Sequence, residues 1–412
     1  TILETLRSRC IDFKMNLSFN ESMYITNKLL GENLFDLINE DLITYYDTPG
    51  HLTNLIIFAE KNKINLKNYD LNEFILFLIN ENYYKKDEFI RIYIHKLIEL
   101  FFLKKINNSN CDIINLHWIG NEILSINQIS KINKPTIWTL HDMWPYSSVE
   151  NYIDTIDYLE KYVEGNSKID FFSKFIFKKK IKKFRNIKAL ICTSNWQLKM
   201  CEKNQIFKNA KKILIPLPLD FKHWKPITKN LAREKLKIPL NAKVVFYNLS
   251  HIYAKKRKGF DFVLNFLENT NLSNLYFIST NCNSIQIENS KINHFNFDKI
   301  EKIEERIQLY SAADVLLSPS RLESFGQTVL EAQACGIPAV TFKNTGSDDL
   351  IYNMKTGYSS NYLDQNDFNK GVEWCLNNSF NKQMIIDLAK EKFSFEAVGS
   401  KYKNFLNSII KE

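Results

Sequence analysis

The sequence has few of the residues that mark irregular, cross-linked or metal-bound proteins. Its 412 residues include only 11 glycines and 9 prolines, which excludes a collagen-like or linker-dominated chain. The seven cysteines are scattered, and none forms a Cys-x-x-Cys pair or lies beside a histidine at metal-ligand spacing. We therefore expect reduced thiols in a cytoplasmic protein rather than disulfides or a zinc site.

Long apolar runs are also lacking. The longest stretches, such as 74–79 and 97–103, fall far short of the ~20 residues that a membrane span requires. Residues 1–14 lack the basic and then apolar pattern of a secretion signal. The sequence thus predicts a soluble or peripherally bound protein.

The chain does contain enough apolar residues for packed cores, at 45% of its composition. Its length exceeds the ~100–200 residues typical of one domain. From about residue 110 onward, short apolar runs alternate with helical patterns, which is typical of a parallel sheet flanked by helices. The runs predicted as buried strands are 112–116, 135–140, 189–192, 213–215, 244–248, 275–279, 315–318 and 339–342.

These strands predict an α/β protein with two Rossmann-like, doubly wound domains that face each other across a cleft. A polar passage at 220–241 divides them, so we predict domains at 1–219 and 220–394, followed by a helix at 395–412. Within the first domain, residues 1–105 have mostly helical periodicity. Ligands of open α/β sheets bind at the carboxyl ends of the strands, so functional residues are expected there.

The net charge of +9 is concentrated in one segment. Residues 171–188 contain eight lysines and arginines and no acid, interleaved with phenylalanine and isoleucine. Such a segment can lie on an anionic membrane surface. It is equally typical of a solvated helix whose aromatic side chains reach the core. Nucleic-acid binding is not predicted, because no recognised nucleic-acid-binding motif accompanies the charge.

The most informative stretch is 310–341, which reads YSAADVLLSPSRLESFGQTVLEAQACGIPAVT. A strand ends in Ser-Pro-Ser, a turn of small residues follows, and a helix begins directly after the turn. The turn and the start of the helix supply the candidate binding residues Glu323, Ser324, Phe325, Gly326, Gln327, Thr328 and Glu331.

This turn suits a phosphorylated sugar. Free N–H groups around Gly326 would lie at a helix N-terminus, where the helix dipole favours an anion, and a glycine lets the backbone approach it closely. Glu323 and Glu331 could accept hydrogen bonds from hydroxyl groups on either side of a diphosphate. Either glutamate alone would be an ordinary acid, but the order of strand, turn, helix and spaced glutamates favours a binding site.

Further candidates follow the first strand of the C-terminal half. Lys255, Lys256, Arg257 and Lys258 precede Gly259 and a helix. Cationic side chains at this position can neutralise a diphosphate leaving group. A basic run by itself is usually a solvated loop. Its place beside the glutamate pair favours Lys258, with Arg257 or Lys255 as the second cation.

Two strands of the N-terminal half end in histidine. His117 precedes Trp118, and His141 precedes Asp142 and, two residues further, Trp144. A single strand-end histidine is often a satisfied core residue. Two of them, each with a tryptophan close by, favour a surface that faces the cleft and binds carbohydrate, and we single out His141.

The glutamate stretch resembles the donor-site signature of the retaining glycosyltransferases of family four, which have the two-domain GT-B fold. That signature is two glutamates separated by seven residues, as Glu323 and Glu331 are. The segments LHW and WTLHDMWPY resemble the branch that builds surface polysaccharides of the colanic-acid type, although its usual cysteines are absent here. The resemblance covers about residues 111–360, and the first hundred residues do not match.

The resemblance implies transfer of a hexose, with retention of configuration, from a UDP- or GDP-sugar to a glycan or lipid-linked acceptor in O-antigen, capsule or exopolysaccharide synthesis. Glu323 would contact the transferred sugar, Glu331 the ribose, and His141 the sugar side of the cleft. The helix at 395–412 would cross back onto the first domain. No cofactor and no metal is expected, because cationic side chains and helix N–H groups can take the role of Mg²⁺.

Three alternatives stay open: a GT-B phosphorylase, a nucleotide-sugar epimerase, and a non-catalytic GT-B subunit that binds a partner or the membrane. The glycine-rich first turn of the family is missing, as is its arginine upstream of Lys258, and both departures favour the third alternative. The predicted location is the cytoplasm, at the inner face of the plasma membrane if residues 171–188 contact lipid.

Overall fold

The computed structural model of the chain describes residues 17–43, 47–119, 123–152, 170–249, 252–282, 287–298 and 300–411. By its internal contacts the chain divides into two compact units. The first comprises Thr1–Asn110 and Ile119–Asn133, and the second comprises Cys111–Trp118 and Lys134–Glu412.

The described part of the first unit is helical, as predicted. Capping boxes at Ser18 and Asp70 start two of its helices, because each side chain accepts the N–H of a glutamate three residues on, whose carboxylate accepts the N–H of the cap. Leu55, Phe74 and Leu97 are fully buried in one core cluster. The helices are α1 (Phe19–Leu30), α2 (Leu34–Leu37), α3 (Pro49–Lys61), α4 (Leu71–Asn80), α5 (Tyr83–Lys86), α6 (Glu88–Asn108) and α7 (Ile126–Ile129).

The second unit contains two parallel sheets, of which the first has four strands in chain order. Its strands are β1 (Ile114–Leu116), β2 (Thr136–Thr139), β3 (Ile187–Cys192) and β4 (Lys211–Leu214), and its helices are α8 (Phe171–Lys183) and α9 (Asn195–Glu202). All four strands fall on predicted runs. His117 and His141 follow the carboxyl ends of β1 and β2, as expected.

The second sheet has six parallel strands in the order β10-β9-β8-β5-β6-β7. This is the doubly wound order, in which the direction of winding reverses between β5 and β8. The strands are β5 (Lys243–Asn248), β6 (Leu275–Thr280), β7 (Ile292–Phe297), β8 (Val315–Ser318), β9 (Ala339–Phe342) and β10 (Gly357–Ser360). Four of the six were predicted, and β7 and β10 were not.

Helices cover both faces of this sheet. Phe246 of β5 lies in one core cluster with Val329, whereas its neighbour Tyr247 lies in another with Phe266, because successive strand residues point to opposite faces. The helices are α10 (Lys229–Leu236), α11 (Phe260–Asn269), α12 (Ile303–Ala312), α13 (Gln327–Ala334), α14 (Gln365–Asn377) and α15 (Lys382–Phe393). The predicted α/β fold with two parallel-sheet domains is confirmed.

The last helix, α16 (Phe395–Ile410), begins at the N-cap Ser394 and packs on the four-stranded sheet. Val398 and Phe405 lie in one apolar cluster with Ile137 of β2, and the Tyr402 hydroxyl lies 3.1 Å from Thr139 Oγ1. The domain boundaries at 219 and 394 stay a prediction. Short 3₁₀ helices occur at Glu40–Leu42, Leu66–Asn68, Trp144–Tyr146, Phe184–Asn186, Ile252–Ala254 and Asp348–Leu350.

The cysteines and the helix lengths concern the predicted reduced thiols and the predicted lack of a membrane span. Cys192, Cys201, Cys282, Cys335 and Cys375 carry free thiols in buried positions. None of the described helices has both the length and the apolar character needed to span a bilayer.

Candidate active site

A cavity of about 350 Å³ opens where the winding of the six-stranded sheet reverses. Lys258 follows β5 in the chain, Glu323 follows β8, and these two strands are neighbours in the sheet. Crevices of this kind, at the carboxyl ends of the strands, are where α/β sheets bind ligands. The lining comprises Phe246, Asn248, Leu249, Lys258, Thr280, Asn281, Ile300, Arg306, Leu309, Tyr310, Glu323, Gln327, Thr328 and Glu331.

Two glycines shape the turn that carries Glu323. Gly326 is the N-cap of α13 with a φ of 101°, which glycine adopts readily, and a Cβ there would lie 2.7 Å from Ser347 Oγ. A Cβ on Gly346 would overlap the Ser324 carbonyl, and the Gly346 N–H donates to Glu323 O at 2.8 Å. The close packing of these two turns therefore depends on glycine at both positions.

The start of α13 is positively polarised. No side chain caps this helix, and the first N–H groups of any α-helix have no acceptor within the helix. The buried hydroxyl groups of Ser324 and Ser347 also have no hydrogen-bond partner among the described residues. Gln327 and Thr328, the first residues of the helix, line the cavity. The helix end can thus bind an anion.

Glu323 is a buried carboxylate held between two cations. The Lys258 ammonium group forms an ion pair with its Oε2, and Arg257 Nη1 lies 4.0 Å from the same atom. Burial by itself would raise the pKa of Glu323, but the charges of Lys258 and Arg257 outweigh burial and lower it. The three side chains together carry a net positive charge next to the N-terminus of α13.

The loop after β5 is fixed by Gly259. This residue has a φ of 67°, and a Cβ on it would overlap the Pro319 carbonyl that follows β8. The Arg257 carbonyl accepts the Arg321 N–H at 2.8 Å, which ties the basic loop to the same segment. The Lys-Gly pair therefore places the Lys258 side chain against the glutamate turn.

Arg257, rather than Lys255, is the second cation beside Glu323. Arg257 Nη1 donates to the Leu322 carbonyl at 3.1 Å, and its guanidinium group lies 3.9 Å from the ring centroid of Tyr152. The Lys255 ammonium group lies over the Phe260 ring on α11, at 5.3 Å. The sequence left this choice open, and it gave no role to Tyr152.

Glu331 lies on another part of the cavity wall in a different environment. The Tyr310 hydroxyl donates to Glu331 Oε2 at 2.8 Å, and Arg306 forms an ion pair with Oε1. Arg306 in turn lies over the Trp224 ring at 5.0 Å. Burial raises the pKa of Glu331 against the opposing effects of Arg306 and Tyr310.

Sequence reasoning missed Arg306 and Tyr310 as members of the site. The signal was their spacing of four residues on α12, which puts both side chains on one face of the helix. Polar residues at the carboxyl ends of strands are a second sequence signal for members of the site. Thr280 Oγ1, at the end of β6, donates to Asn248 Oδ1 at 2.8 Å, and Asn248 Nδ2 donates to the Tyr310 hydroxyl at 3.2 Å.

The two strand-end histidines are paired with each other. His117 Nδ1 lies 2.9 Å from His141 Nε2, so the two rings share one proton at this contact. Burial lowers the pKa of both, and the neighbouring ring lowers that of His141 further. The Trp118 indole donates to Asp142 Oδ2 at 3.0 Å. His141 is not part of the cavity lining, but its carbonyl accepts the Tyr152 hydroxyl at 3.5 Å.

The remaining predicted residues contribute mainly through the backbone. Phe325 is buried in the core and packs against Phe393, with the ring centroids 5.9 Å apart. The Ser324 carbonyl accepts the Thr193 hydroxyl of the four-stranded half at 3.3 Å. Among the described residues, no group of three or more His, Cys, Asp or Glu side chains could hold a metal ion. The expectation of a reaction without a metal stays a prediction.

Residues 283–392 match the family of glycosyl transferases group 1. The matched part includes Glu323 and Glu331, and Lys258 lies before it. This part of the chain is therefore similar to a glycosyltransferase group 1 domain. This likeness confirms the coarser part of the predicted resemblance, whereas membership of the retaining family four and of the colanic-acid branch stays a prediction.

Two relatives carry names that refer to the synthesis of surface polysaccharides. The capsular polysaccharide biosynthesis glycosyltransferase CapM of Staphylococcus aureus is 26% identical over 117 residues, which are 27% of this chain and 31% of CapM. The O-antigen biosynthesis glycosyltransferase WclY of Escherichia coli is 29% identical over 171 residues, which are 38% of this chain and 45% of WclY. The matched part thus spans less than half of either relative.

Solved structures share the fold. A sucrose-phosphate synthase from Thermosynechococcus elongatus superimposes with a TM-score of 0.56 at 16% identity, over 77% of this chain and 79% of the synthase. Anabaena HepE in complex with UDP-glucose superimposes with a TM-score of 0.53 at 15% identity, over 76% of this chain and 82% of HepE. At this level of identity the two structures show the fold alone, and the shared fold agrees with the predicted one.

Proposed function

We propose that this protein transfers a hexose from a nucleoside-diphosphate sugar to an acceptor hydroxyl, with retention of the anomeric configuration. The observation that carries the proposal is one cavity with two differently charged parts. Lys258 and Arg257 flank Glu323 beside the N-terminus of α13, and Glu331 lies elsewhere on the same wall. This arrangement matches the charge distribution of such a donor, in which a diphosphate joins two hydroxyl-bearing groups.

The cationic part of the cavity is suited to stabilise the negative charge that develops during the reaction. When the bond between the anomeric carbon and the phosphate oxygen breaks, its electron pair leaves with the diphosphate, which gains negative charge. Lys258, Arg257 and the N–H groups at the start of α13 would stabilise that charge, and they need no reorganisation to do so. We assign no side chain to the removal of the acceptor proton.

The two glutamates would divide the recognition of hydroxyl groups between them. Glu323, whose lowered pKa keeps it ionised, would accept from hydroxyls of the transferred sugar. Glu331 would accept from the ribose, with Arg306 and Tyr310 holding its carboxylate in place. UDP- and GDP-sugars are the donors that we propose, and no metal is part of the proposal.

The acceptor that we propose is a growing glycan or lipid-linked glycan of O-antigen, capsule or exopolysaccharide. The names of CapM and WclY support this class of pathway. The histidine pair offers neutral hydrogen-bonding groups, and Trp118, whose indole donates to Asp142, offers an aromatic ring suited to a sugar. We propose that His141 lies on the acceptor and sugar side of the site.

We further propose that α8 makes a peripheral contact with anionic membrane at the cytoplasmic face. Phe171 and Phe172, at the start of the helix, have 87% and 60% of their surface exposed. Phe175 is also exposed, at 47%, whereas Phe177 and Phe184 are buried and belong to the core. The exposed aromatic residues support the membrane interpretation, and the buried ones support the interpretation of a helix whose aromatic side chains reach the core.

A vesicle-binding assay tests the membrane contact. The protein should sediment with vesicles of anionic phosphatidylglycerol more than with neutral phosphatidylcholine, and added salt should weaken this binding. The double variant Phe171→Ser, Phe172→Ser should lose most of the binding, whereas Leu240→Ser, which alters another exposed apolar side chain, should not. Equal binding by all three proteins would exclude α8 as the contact.

The transfer reaction is tested with purified protein, UDP- and GDP-hexoses and lipid-linked glycan acceptors. We expect release of the nucleoside diphosphate and a product whose anomeric proton coupling, measured by NMR, matches that of the donor. An inverted product would contradict retention. Sugar 1-phosphate formed only with added phosphate would indicate a phosphorylase, and sugar interconversion without acceptor an epimerase. Failure to bind any nucleotide sugar would favour a non-catalytic subunit.

A further inference from the structure

Tyr152 belongs to a loop of the four-stranded half that is held firmly in place. The loop follows β2 and closes on itself, because the Met143 N–H donates to Asn151 O at 2.9 Å. The buried ammonium group of Lys180, on α8, donates to the carbonyls of Trp144 and Ser147 within the same loop. These bonds return the chain to the carboxyl end of β2, where the Tyr152 hydroxyl meets the His141 carbonyl.

The Tyr152 ring lies against a cation from a loop of the six-stranded half. The Arg257 guanidinium carbon is 3.9 Å from the ring centroid, well inside the ~6 Å limit for a cation–π contact. Tyr152 is also near Glu323: burial, and after it the Glu323 charge, raise the pKa of the tyrosine to about 12. The hydroxyl therefore stays protonated at neutral pH, and the ring contributes no charge of its own.

The contacts of Arg257 leave its orientation dependent on this ring. One Nη atom donates to the Leu322 carbonyl, and the distance of 4.0 Å to Glu323 is too long for a direct hydrogen bond. A long side chain that is held by a single hydrogen bond keeps most of its conformational freedom. Contact of the planar guanidinium group with an aromatic face restricts the orientation of the group as well. The ring thus supplies the second constraint.

We propose that Tyr152 is a positioning residue for diphosphate recognition, which holds Arg257 flat so that its remaining N–H groups point at the phosphate farther from the nucleoside. The inference rests on the proposed function, because it takes the cavity as the donor site. It adds that the four-stranded half completes the phosphate-binding part of the six-stranded half. Sequence reasoning could not assign this role, since Tyr152 and Arg257 lie in loops that follow strands of different sheets.

The position of the contact makes a specific prediction about ligands. Arg257 lies beside Glu323, and Glu323 lines the part of the cavity that we assign to the sugar and its adjoining phosphate, whereas Glu331 lies in the part assigned to the ribose. Loss of the ring should therefore weaken the binding of a nucleoside diphosphate and leave the binding of a nucleoside monophosphate unaffected. A general loss of folding would instead weaken the binding of both ligands.

Isothermal titration calorimetry with UDP, UMP, GDP and GMP tests this inference. For Tyr152→Ala we expect affinity for the preferred diphosphate to fall about tenfold, as for loss of a partly buried cation–π contact, with the matching monophosphate unchanged. Tyr152→Phe retains the ring and should bind like the wild type. In an Arg257→Ala background, Tyr152→Ala should have no further effect. Tyr24→Ala, which removes a tyrosine that contacts Lys28 on α1, is the matched control.

The outcomes separate this inference from the proposed function. If the wild type binds no nucleotide, the proposed function fails. If the wild type binds the diphosphate and Tyr152→Ala binds it equally well, only the role of Tyr152 fails. The role also fails if Tyr152→Phe is as weak as Tyr152→Ala, or if the two losses add in the double variant. Should Tyr152→Ala be unstable, Tyr152→Leu retains the bulk without the aromatic face and carries the same expectations.

Discussion

The two sheets of the second unit place different kinds of polar group at the carboxyl ends of their strands. The six-stranded sheet presents charged pairs, in which Glu323 contacts Lys258 and Glu331 contacts Arg306. The four-stranded sheet presents the histidines His117 and His141, whose pKa values are both lowered by burial. Both halves have the same parallel construction, so this difference lies in the side chains and not in the fold.

This contrast indicates how the two halves divide the work of the proposed reaction. A diphosphate is recognised best by fixed cations and helix N–H groups, which the six-stranded half supplies. A sugar acceptor carries no charge and offers hydroxyls and an apolar ring face, which suit neutral imidazoles and the Trp118 ring. Variants that alter a side chain of one half therefore test whether the donor and the acceptor are bound by different halves.

The largest effect is expected for Lys258→Ala. Removal of this cation should lower kcat by about 100- to 1,000-fold, as for loss of one group that stabilises charge in a transition state. Donor KM should change much less, since the charge on the diphosphate grows as the bond breaks. Steady-state kinetics with the identified donor measure both constants. The neighbouring exposed Lys256→Ala is the control, and equal rates for wild type and Lys258→Ala would contradict the assignment.

Glu331→Gln should weaken donor binding by about ten- to a hundredfold, because it removes a charged acceptor of hydrogen bonds. We expect the loss for the nucleoside monophosphate as well as the diphosphate, since Glu331 is assigned to the ribose. Calorimetry measures it, and Glu304→Gln, at an exposed position on α12, is the control. If Glu331→Gln bound the nucleotides with full affinity, the assignment of the ribose to Glu331 would be wrong.

His141→Ala should affect the other ligand. Donor affinity should stay within about twofold of the wild type, whereas turnover should fall by about tenfold, as for the loss of one hydrogen bond to a substrate. The reason is that His141 lies outside the lining of the cavity that we assign to the donor. Calorimetry and turnover assays on the same preparation check both parts. If His141→Ala lost as much donor affinity as Glu331→Gln, His141 would belong to the donor site, and the proposed division between donor and acceptor residues would be wrong.

The smallest effect concerns stability. Lys180 is fully buried, and burial lowers its pKa to about 7 against the opposing charges of Asp142 and Glu150. Between about pH 7 and the unfolded value near ~10.4, the unfolded chain binds a proton that the folded chain lacks, so this residue's contribution to stability rises with pH. From pH 7 to 9 we expect a gain of about 1–2 kcal/mol in the free energy of unfolding.

Urea denaturation at several pH values measures this gain. Lys180→Met should lose the rise, and Lys182→Met, at an exposed position on the same helix, should keep it. The same slope in Lys180→Met and in the wild type would mean that the lysine is charged throughout this range. That result would place a fixed charge close to Asp142, which follows the histidine that we describe as neutral.

The sequence predicted the sheets well except at their margins. Each predicted strand corresponds to an observed one, and the two that were missed, β7 and β10, are the edge strands of the six-stranded sheet. An edge strand is covered less completely than a central one, so it needs no continuous apolar run. β7 reads INHFNF and is only partly buried, and β10 reads GYSS. Neither carries the signal that revealed the central strands.

In the site, the sequence revealed the residues of one local motif but not their partners. Glu323, Gly326 and Glu331 could be predicted because strand, turn and helix are consecutive in the chain. Arg306 was missed although it shares a helix face with Tyr310, and Tyr152 carried no signal, because the roles of both come from contacts with distant segments. Local spacing is visible in a sequence, whereas a partner brought close by sheet topology is not.

The most direct test of the donor assignment is a crystal structure of the protein with UDP or GDP bound. We predict the diphosphate within hydrogen-bonding distance of Lys258 Nζ and the N–H groups at the start of α13, and the ribose hydroxyls at the Glu331 carboxylate. A nucleotide bound elsewhere, with Glu323 and Glu331 still paired only to Lys258 and Arg306, would contradict the account.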